Sequence, residues 1–389
     1  MSMPPPPPPS GLFPQVTRST RVSEAEAMVE NGEHRFPCHT CGGNLRYKPG
    51  TDMLACPHCG AEEPIPGAGR GCEAGRELDL ETALRNLLPA SDMQDIPTVH
   101  CPNCGALVEF TGADHAARCP YCATAVVIDT GAQRQIKPKG LLPFRIDESE
   151  ARRNLQNWLG SLWFAPNGVK EYARSGRAMD GIYVPYWTFD ADTVSDYAGE
   201  RGDAYYVTRT VTRNGKQETV RERRIRWSSK HGRVGRFFND VLVIASRSMP
   251  KNYADRLDPW DLDNLQDYRP EYLAGYRAEG YTVELEDGLI EAKAKMDQVI
   301  RQDVRQDIGG DEQRIHGIDT QFNDVTFKHV LLPIYLAAYK YSGKSYQFVI
   351  NARTGEVQGE RPYSAWKIAA AVIVGLIVAA AVAAVYSSR

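Results

Sequence analysis

The 389-residue sequence lacks a charge excess of either sign. It has 46 Lys and Arg residues against 49 Asp and Glu residues, which gives a formal net charge of -3. These numbers exclude a uniformly basic nucleic-acid-binding protein, although they allow a local basic patch. The mean hydropathy of -0.43 excludes a polytopic membrane protein. The apolar content of 42% excludes a wholly disordered or fibrous chain.

The familiar catalytic motifs are also missing. The sequence contains neither Gly-x-Ser-x-Gly nor His-Glu-x-x-His. Residues 338–345 fit a loose phosphate-loop pattern, but a strand-like alternation follows Lys344 where a phosphate loop would lead into a helix. Residues 311–314 resemble a helicase acidic box, yet they precede that loop instead of following it. The sequence therefore predicts no enzyme.

We expect no secretory leader either, because residues 1–13 show no basic segment followed by an apolar one. Residues 4–9 are six consecutive prolines, which favour an extended polyproline conformation and form no core. We expect residues 1–33 to be a disordered, Pro-rich tail. A docking site for a proline-binding partner is the alternative.

Eight of the nine cysteines form two copies of the pattern C-x2-C-x14-C-x2-C. Four thiolates suit the tetrahedral coordination of Zn²⁺ and leave no open position for catalysis. Glycines follow three of the four C-x2-C pairs, where a positive φ lets backbone amides approach the sulfurs. The spacing predicts two structural zinc ribbons, at residues 34–66 and 99–129. Their predicted ligands are Cys38, Cys41, Cys56 and Cys59 in the first ribbon, and Cys101, Cys104, Cys119 and Cys122 in the second.

Disulfides and a redox-active cysteine pair are the competing interpretations of this pattern. The first would need a secretory leader, and the second a βαβ context that the sequence does not show. The remaining Cys72 has no assigned role, and the nearby histidines are expected bystanders because each site already has four cysteines. Reduced thiols at this density indicate the cytosolic side of a membrane.

One long apolar run is present near the C-terminus. Residues 368–385 contain no polar side chain, and Trp366 and Tyr386 flank them as interfacial aromatic residues do. At about 1.5 Å per residue the run measures about 27 Å, close to the thickness of a bilayer core. We expect a tail-anchoring transmembrane helix at residues 365–386, with a buried core helix as the alternative. Its small residues at four-residue intervals would allow a homodimer, although such a stripe also arises by chance.

Between these features, residues 67–98 are expected to form a linker with a short helix near Leu78–Leu88, and residues 140–364 an α+β domain with an antiparallel sheet. Asp147 and Glu150 indicate a helix start, and the apolar spacing from Leu289 to Ile308 indicates a second amphipathic helix. The predicted strands are Ile182–Phe189, Tyr205–Thr212, Gln217–Trp227, Val241–Ala245, Val325–Tyr341 and Ser345–Ile350. Asn214-Gly215 predicts a tight hairpin, and Pro185 suggests an edge strand.

Charge is unevenly distributed in this domain. Residues 201–236 carry 11 basic and 3 acidic groups, whereas residues 251–312 carry 8 basic and 16 acidic groups. We expect these faces to be solvated or to pair with each other. Contact with anionic lipid or with nucleic acid are the alternatives.

The paired cysteine ribbons, the segments Tyr183–Trp187 (YVPYW), Phe327–Pro333 (FKHVLLP) and Asn351–Gly355 (NARTG), and the apolar tail resemble a bacterial family. Its members are tail-anchored double zinc-ribbon proteins, often labelled primosomal protein N′/superfamily II helicase-like or TFIIB-type zinc ribbon proteins. The resemblance covers most of residues 34–386. It implies the two cysteine quartets as metal ligands, no catalytic residue, and a membrane platform for phage-shock-type and flotillin-like stress proteins.

The expected function is a non-enzymatic adaptor at the bacterial inner membrane, whose zinc ribbons project into the cytoplasm and recruit a protein partner. The rival hypothesis is a membrane-tethered nucleic-acid-binding protein without a helicase motor. Because the second ribbon has one basic and three acidic residues, and the first has no basic excess, the sequence favours protein contact.

Overall fold

The structure, a computed structural model, describes residues 28–30, 33–69, 71, 73–101, 103–109, 116–119, 121, 124–127, 132–162, 179–213, 216–341, 344–360 and 364–387. The expectations for most of the Pro-rich tail, for Cys72, for Cys122 and for the hairpin tip at 214–215 lie outside these residues. The helices are α1 (Leu80–Leu84), α2 (Glu148–Ser161), α3 (Lys251–Ala254), α4 (Leu285–Ile308) and α5 (Ala365–Ser387).

The strands are β1 (Met28–Glu30), β2 (Glu33–Arg35), β3 (Arg46–Lys48), β4 (Met53–Ala55), β5 (Glu62–Pro64), β6 (Leu78–Asp79), β7 (Met93–His100), β8 (Leu107–Glu109), β9 (Ala116–Arg118), β10 (Ala125–Val127), β11 (Ala132–Ile136), β12 (Gly140–Leu141), β13 (Asp180–Arg213), β14 (Lys216–Ile244), β15 (Gln266–Asp267), β16 (Arg277–Ala278), β17 (Glu312–Tyr341), β18 (Lys344–Asn351) and β19 (Val357–Gly359).

A nine-stranded sheet forms the body of the molecule. Its main path runs β14-β13-β17-β12-β15, and β6, β16, β18 and β19 join at its sides. The long strands pair antiparallel, as predicted, while β12 with β17 and β13 with β16 make two short parallel contacts. At about 3.3 Å per residue, β13 alone measures about 110 Å along its path.

Three long strands replace the series of short ones that the sequence predicts. Ile182–Phe189 and Tyr205–Thr212 are parts of β13, and Gln217–Trp227 and Val241–Ala245 fall largely within β14. The register pairs Arg213 with Lys216, which is the two-residue hairpin spacing expected for Asn214-Gly215. The segment of β13 between its two predicted strands lacks an obvious strand pattern because several of its buried positions hold polar side chains, on Asp190, Thr193 and Ser195.

The edge position inferred from Pro185 is wrong, because β13 has β17 on one side and β16 and β14 on the other. Pro185 lies between residues 182–183, which pair with β16, and residue 186, where the pairing with β14 begins. Its carbonyl accepts the N–H of Ala245, so its own nitrogen faces the gap between these neighbours. A proline is tolerated there because no ladder hydrogen bond needs its N–H.

The half of the sheet that lies away from the β13–β14 hairpin is covered on both faces. Tyr183 and Tyr335 share a buried cluster with the first cysteine segment and α2, whereas Val184 and Leu332 share another with the second cysteine segment. Since neighbouring residues of a strand point to opposite faces, the two cysteine segments lie on opposite faces of the sheet.

Helix α4 covers the face that also carries the first cysteine segment, farther along the long strands. Its buried residues are Leu285, Gly288, Ala292, Met296, Ile300, Val304 and Ile308, which confirms the predicted amphipathic spacing. Helix α2 begins as predicted, since the Asp147 carboxylate accepts the backbone N–H of Glu150 at 2.8 Å. Helix α1 is shorter than expected because residues 78–79 pair with β17 as a strand.

Helix α5 is long and apolar enough to span a membrane. Its segment Trp366–Ala384 has a mean hydropathy of 2.5, and none of it is buried against the rest of the chain. The interpretation as a buried core helix is therefore excluded within the folded chain. Dimerisation through its small residues stays a prediction.

Candidate metal centres

The first cysteine quartet converges to one point. The sulfurs of Cys38 and Cys59 are 3.6 Å apart, those of Cys41 and Cys56 are 3.5 Å apart, and all four lie within 4.8 Å of one another. A tetrahedron of sulfurs at about 2.3 Å from Zn²⁺ has an edge of about 3.8 Å. The residues present therefore fit a four-thiolate metal site.

Tight backbone turns hold these sulfurs in place. Gly42 and Gly60 donate their N–H groups to the carbonyls of Cys38 and Cys56 from left-handed conformations, with φ of 74° and 75°. Only glycine adopts this conformation without strain. Gly43 is required for a different reason, because a Cβ there would lie 2.7 Å from the His58 ring.

The second centre repeats this geometry. Cys101, Cys104 and Cys119 bring their sulfurs within 4.8 Å of one another, and those of Cys104 and Cys119 are 3.5 Å apart. Gly105 has φ of 73° and donates to the carbonyl of Cys101, as Gly42 does for Cys38. Cys122 lies outside the described residues, so its role as the fourth ligand stays a prediction.

The backbone turn is the same at the start of every C-x2-C pair. The N–H groups of Cys38, Cys56, Cys101 and Cys119 each donate to the carbonyl five residues ahead. Backbone N–H groups of Cys59 and His58 also approach the Cys56 sulfur and lower the pKa of this thiol from 9.0 to about 6. At Cys59 the Ala61 N–H lowers the pKa of the thiol, but burial and the neighbouring thiols raise it to about 12, so these shifts do not favour the thiolate across the whole quartet.

Both cysteine segments pack against the central sheet and do not project from it, contrary to the expectation from sequence. The first cysteine of each C-x2-C pair is buried, at Cys38, Cys56, Cys101 and Cys119. In the first segment, Tyr47 donates its N–H to the Ala274 carbonyl at 2.8 Å. The expectation failed because the apolar residues between the cysteines complete a core with residues more than 200 positions away.

A buried carboxylate attaches the second segment to the sheet. Glu279 is 2% exposed and accepts hydrogen bonds from the hydroxyls of Tyr121, Ser246 and Ser248. Burial raises the pKa of Glu279 from 4.5 to about 7. Sequence reasoning missed this contact, since Tyr121 lies 158 residues before Glu279 and the C-x2-C pattern does not specify the residues between its cysteines.

A third group of metal-ligand types consists of Glu77, which precedes β6, Asp190 of β13 and Asp240 of β14. The Lys328 ammonium lies among them, 2.7 Å from Asp240 and in contact with Glu77. These carboxylates therefore already have a cation, and the cluster is an ion-pair network. The spacing of these residues in the sequence gave no signal for it.

No protein-family model matches the chain, and no solved structure matches it significantly. A curated relative is "Uncharacterized protein YdjG" of Bacillus subtilis (strain 168), with 27% identity over 344 residues. The alignment covers 86% of this chain and 92% of that protein, so the similarity extends over most of both. It assigns no activity to either.

Proposed function

We propose that this chain is a non-enzymatic adaptor, anchored in the bacterial cytoplasmic membrane by residues 365–386, whose folded part recruits protein partners in the cytoplasm. The observation that carries the proposal is the wholly exposed apolar helix α5 attached to a body with two cysteine clusters. Four thiolates around Zn²⁺ leave no position for a substrate, which supports a structural role for both metals.

The buried ionisable groups also support a structural role. Lys139 contacts Asp92 at 2.6 Å with both side chains buried, and Lys328 contacts Asp240 at 2.7 Å. Glu279 is held by three hydroxyl groups. Each of these groups has a partner within the described residues, which is compatible with a structural role.

Membrane attachment is tested by fractionating bacteria that express the full chain or residues 1–364. The full chain should stay in membranes after carbonate extraction, and the shortened chain should be soluble. A protease that cuts an N-terminal tag only in inverted vesicles would support the cytoplasmic orientation. Solubility of the full chain would refute the anchor.

The metal assignment is tested by replacing Cys101 and Cys104 with serine. Structural zinc supplies the folding energy of such small units, so the double variant should hold one equivalent of zinc per chain where the wild type holds two. Two equivalents in the variant would mean that these residues are not ligands.

Nucleic-acid binding is the second candidate, favoured by the exposed basic residues of β14. We expect the zinc-loaded chain, titrated against single- and double-stranded DNA and RNA, to bind only at low salt. Micromolar binding that persists at physiological salt, with a steep salt dependence, would replace the adaptor proposal.

A further inference from the structure

Strand β14 is the edge of the central sheet over its whole length. Among the described strands it pairs only with β13, so one side of Lys216–Ile244 has no neighbour. Near its end, the Lys295 ammonium of α4 contacts the Leu242 carbonyl at 2.8 Å and covers the edge. The open part therefore extends from the hairpin to about residue 235.

The hydrogen-bond pattern identifies which backbone groups are open. The backbone N–H of Ala204 donates to the Asp311 carboxylate, and the Gly202 carbonyl accepts the N–H of Asp311. In this region, therefore, the backbone N–H and C=O groups of even-numbered β13 residues point to the side of β17. The backbone groups of odd-numbered β13 residues then point to β14. Because the register pairs Tyr205 with Arg224, the even-numbered residues of β14 bond to them. It follows that odd-numbered residues of β14, such as Thr219 and Arg221, present both N–H and C=O at the open edge.

The open edge is strongly basic. Residues 216–236 contain eight basic and two acidic residues, a net charge of +6. Some of these residues have partners within the chain, such as Arg223 with Glu312 and Arg236 with Asp303. Arg221 and Arg226 lie over the rings of Tyr206 and Tyr205, whose side chains are 60% and 39% exposed.

We propose that the open edge of β14 binds an extended acidic segment of a partner protein as an additional strand. The proposal rests on the adaptor function and names the surface and the partner chemistry for it. Partner N–H and C=O groups complete the backbone ladder, and acidic side chains contact the arginines on both faces. The exposed tyrosines and arginines are residue types that often dominate binding energy.

The backbone chemistry favours a peptide over nucleic acid at this edge. Phosphate groups only accept hydrogen bonds, so they leave the outward carbonyls of β14 without donors, whereas a peptide strand supplies both kinds of group. The connection to α5 disfavours a lipid surface. Glu360 bonds to Gln347, which pairs with Ala338 near the end of the sheet opposite the hairpin. Residues 312–338 of β17 span about 85 Å. The hairpin therefore lies far from Glu360, which is five residues before α5.

The test uses the full zinc-loaded chain in detergent micelles and a labelled eight-residue peptide that repeats Thr-Thr-Glu-Glu, which places glutamates on both faces of an extended strand. Fluorescence anisotropy should show saturable binding, and the same peptide methylated at every backbone nitrogen should bind at least about tenfold more weakly. Hydrogen exchange resolved by residue should slow at odd-numbered residues of 217–235, while even-numbered residues, already bonded to β13, stay unchanged.

Matched variants separate the backbone contribution from the charge contribution. Thr219→Pro removes one outward N–H and should weaken binding about tenfold, whereas Thr219→Val keeps that N–H and should bind normally. Arg221→Glu should weaken binding about tenfold, but Arg209→Glu, the same charge change on the paired strand β13, by less than about threefold.

Equal binding of the methylated and unmethylated peptides would overturn the proposal, because charge alone would then explain it. Tighter binding of duplex DNA than of the peptide at physiological salt would overturn it in favour of nucleic acid. Protection of the same edge on self-association, measured by light scattering without peptide, would make a second copy the occupant instead. No binding at all would also overturn the proposal. The arginines would then serve to prevent edge-to-edge pairing, and the membrane-anchor test would be unaffected.

Discussion

Removing the hydroxyl of Tyr121 should weaken the attachment of the second cysteine segment to the sheet. This hydroxyl donates to Glu279, and both side chains are at least 98% buried. Tyr121→Phe keeps the ring in its cluster and removes one of three hydroxyl donors to the carboxylate. The loss of a buried hydrogen bond to a carboxyl group costs about 1–3 kcal/mol.

A loss of about 2 kcal/mol corresponds to about a thirtyfold larger population of the detached segment. If zinc leaves the second site only when that segment detaches, its release to an excess of chelator should be about thirtyfold faster at neutral pH. A chromogenic chelator follows the release in two phases. Comparison with a Cys101→Ser variant identifies the phase that belongs to the second site.

A matched control is available at the first segment. The Tyr272 hydroxyl donates to the partly exposed Asp52 at 3.2 Å, so Tyr272→Phe should change only the first-site phase, by less than about fivefold. An unchanged second phase in Tyr121→Phe would refute the reasoning, because the buried hydrogen bond would then contribute nothing to docking. Acceleration of both phases would mean that the sheet had loosened as a whole.

Further predictions concern two helix glycines, the pH dependence set by Glu279, and the two metals. Gly288→Ala should destabilise the chain by about 1–3 kcal/mol in denaturant unfolding, because its Cβ would lie 2.7 Å from the buried Trp187 ring. Gly160→Ala, with no atom within 4 Å, should instead stabilise it by up to about 1 kcal/mol. Because folding raises the pKa of Glu279 from 4.5 to about 7, wild-type stability should fall as the pH rises through this range. Glu279→Gln should remove that part of the pH dependence, as measured by thermal unfolding at a series of pH values. Removing both metals with chelator should lower the melting temperature of the whole folded body, whereas separate melting of the ribbons alone would contradict their shared cores.

The metal-ligand geometry was the most predictable feature of this chain. Convergence of the first quartet depends on local C-x2-C turns and on one short hairpin, so spacing alone specified it. Helix α4 and the apolar helix α5 were also predictable, since each carries its pattern within one continuous segment. These predictions needed no knowledge of distant contacts.

The position of the cysteine segments was not predictable, because it depends on contacts between residues far apart in sequence. Tyr47 packs against Tyr272, and Tyr121 bonds to Glu279, yet none of these residues stands out in its own segment. The continuity of β13 was hidden for a related reason. Its outer half has a polar open face, and a strand of this length has few precedents to predict from.

The duplication of the cysteine segment follows from the pattern of the sheet that it covers. Residues 182–189 and 330–337 are buried at nearly every position, which requires a cover on both faces. Each cysteine segment supplies one cover, and units this small need a metal to fold. Where the covers end, the strands become polar on one face and β14 becomes an open edge. We therefore expect the two candidate metal centres to stabilise the buried half of the sheet, and we propose that the other half is open to a partner.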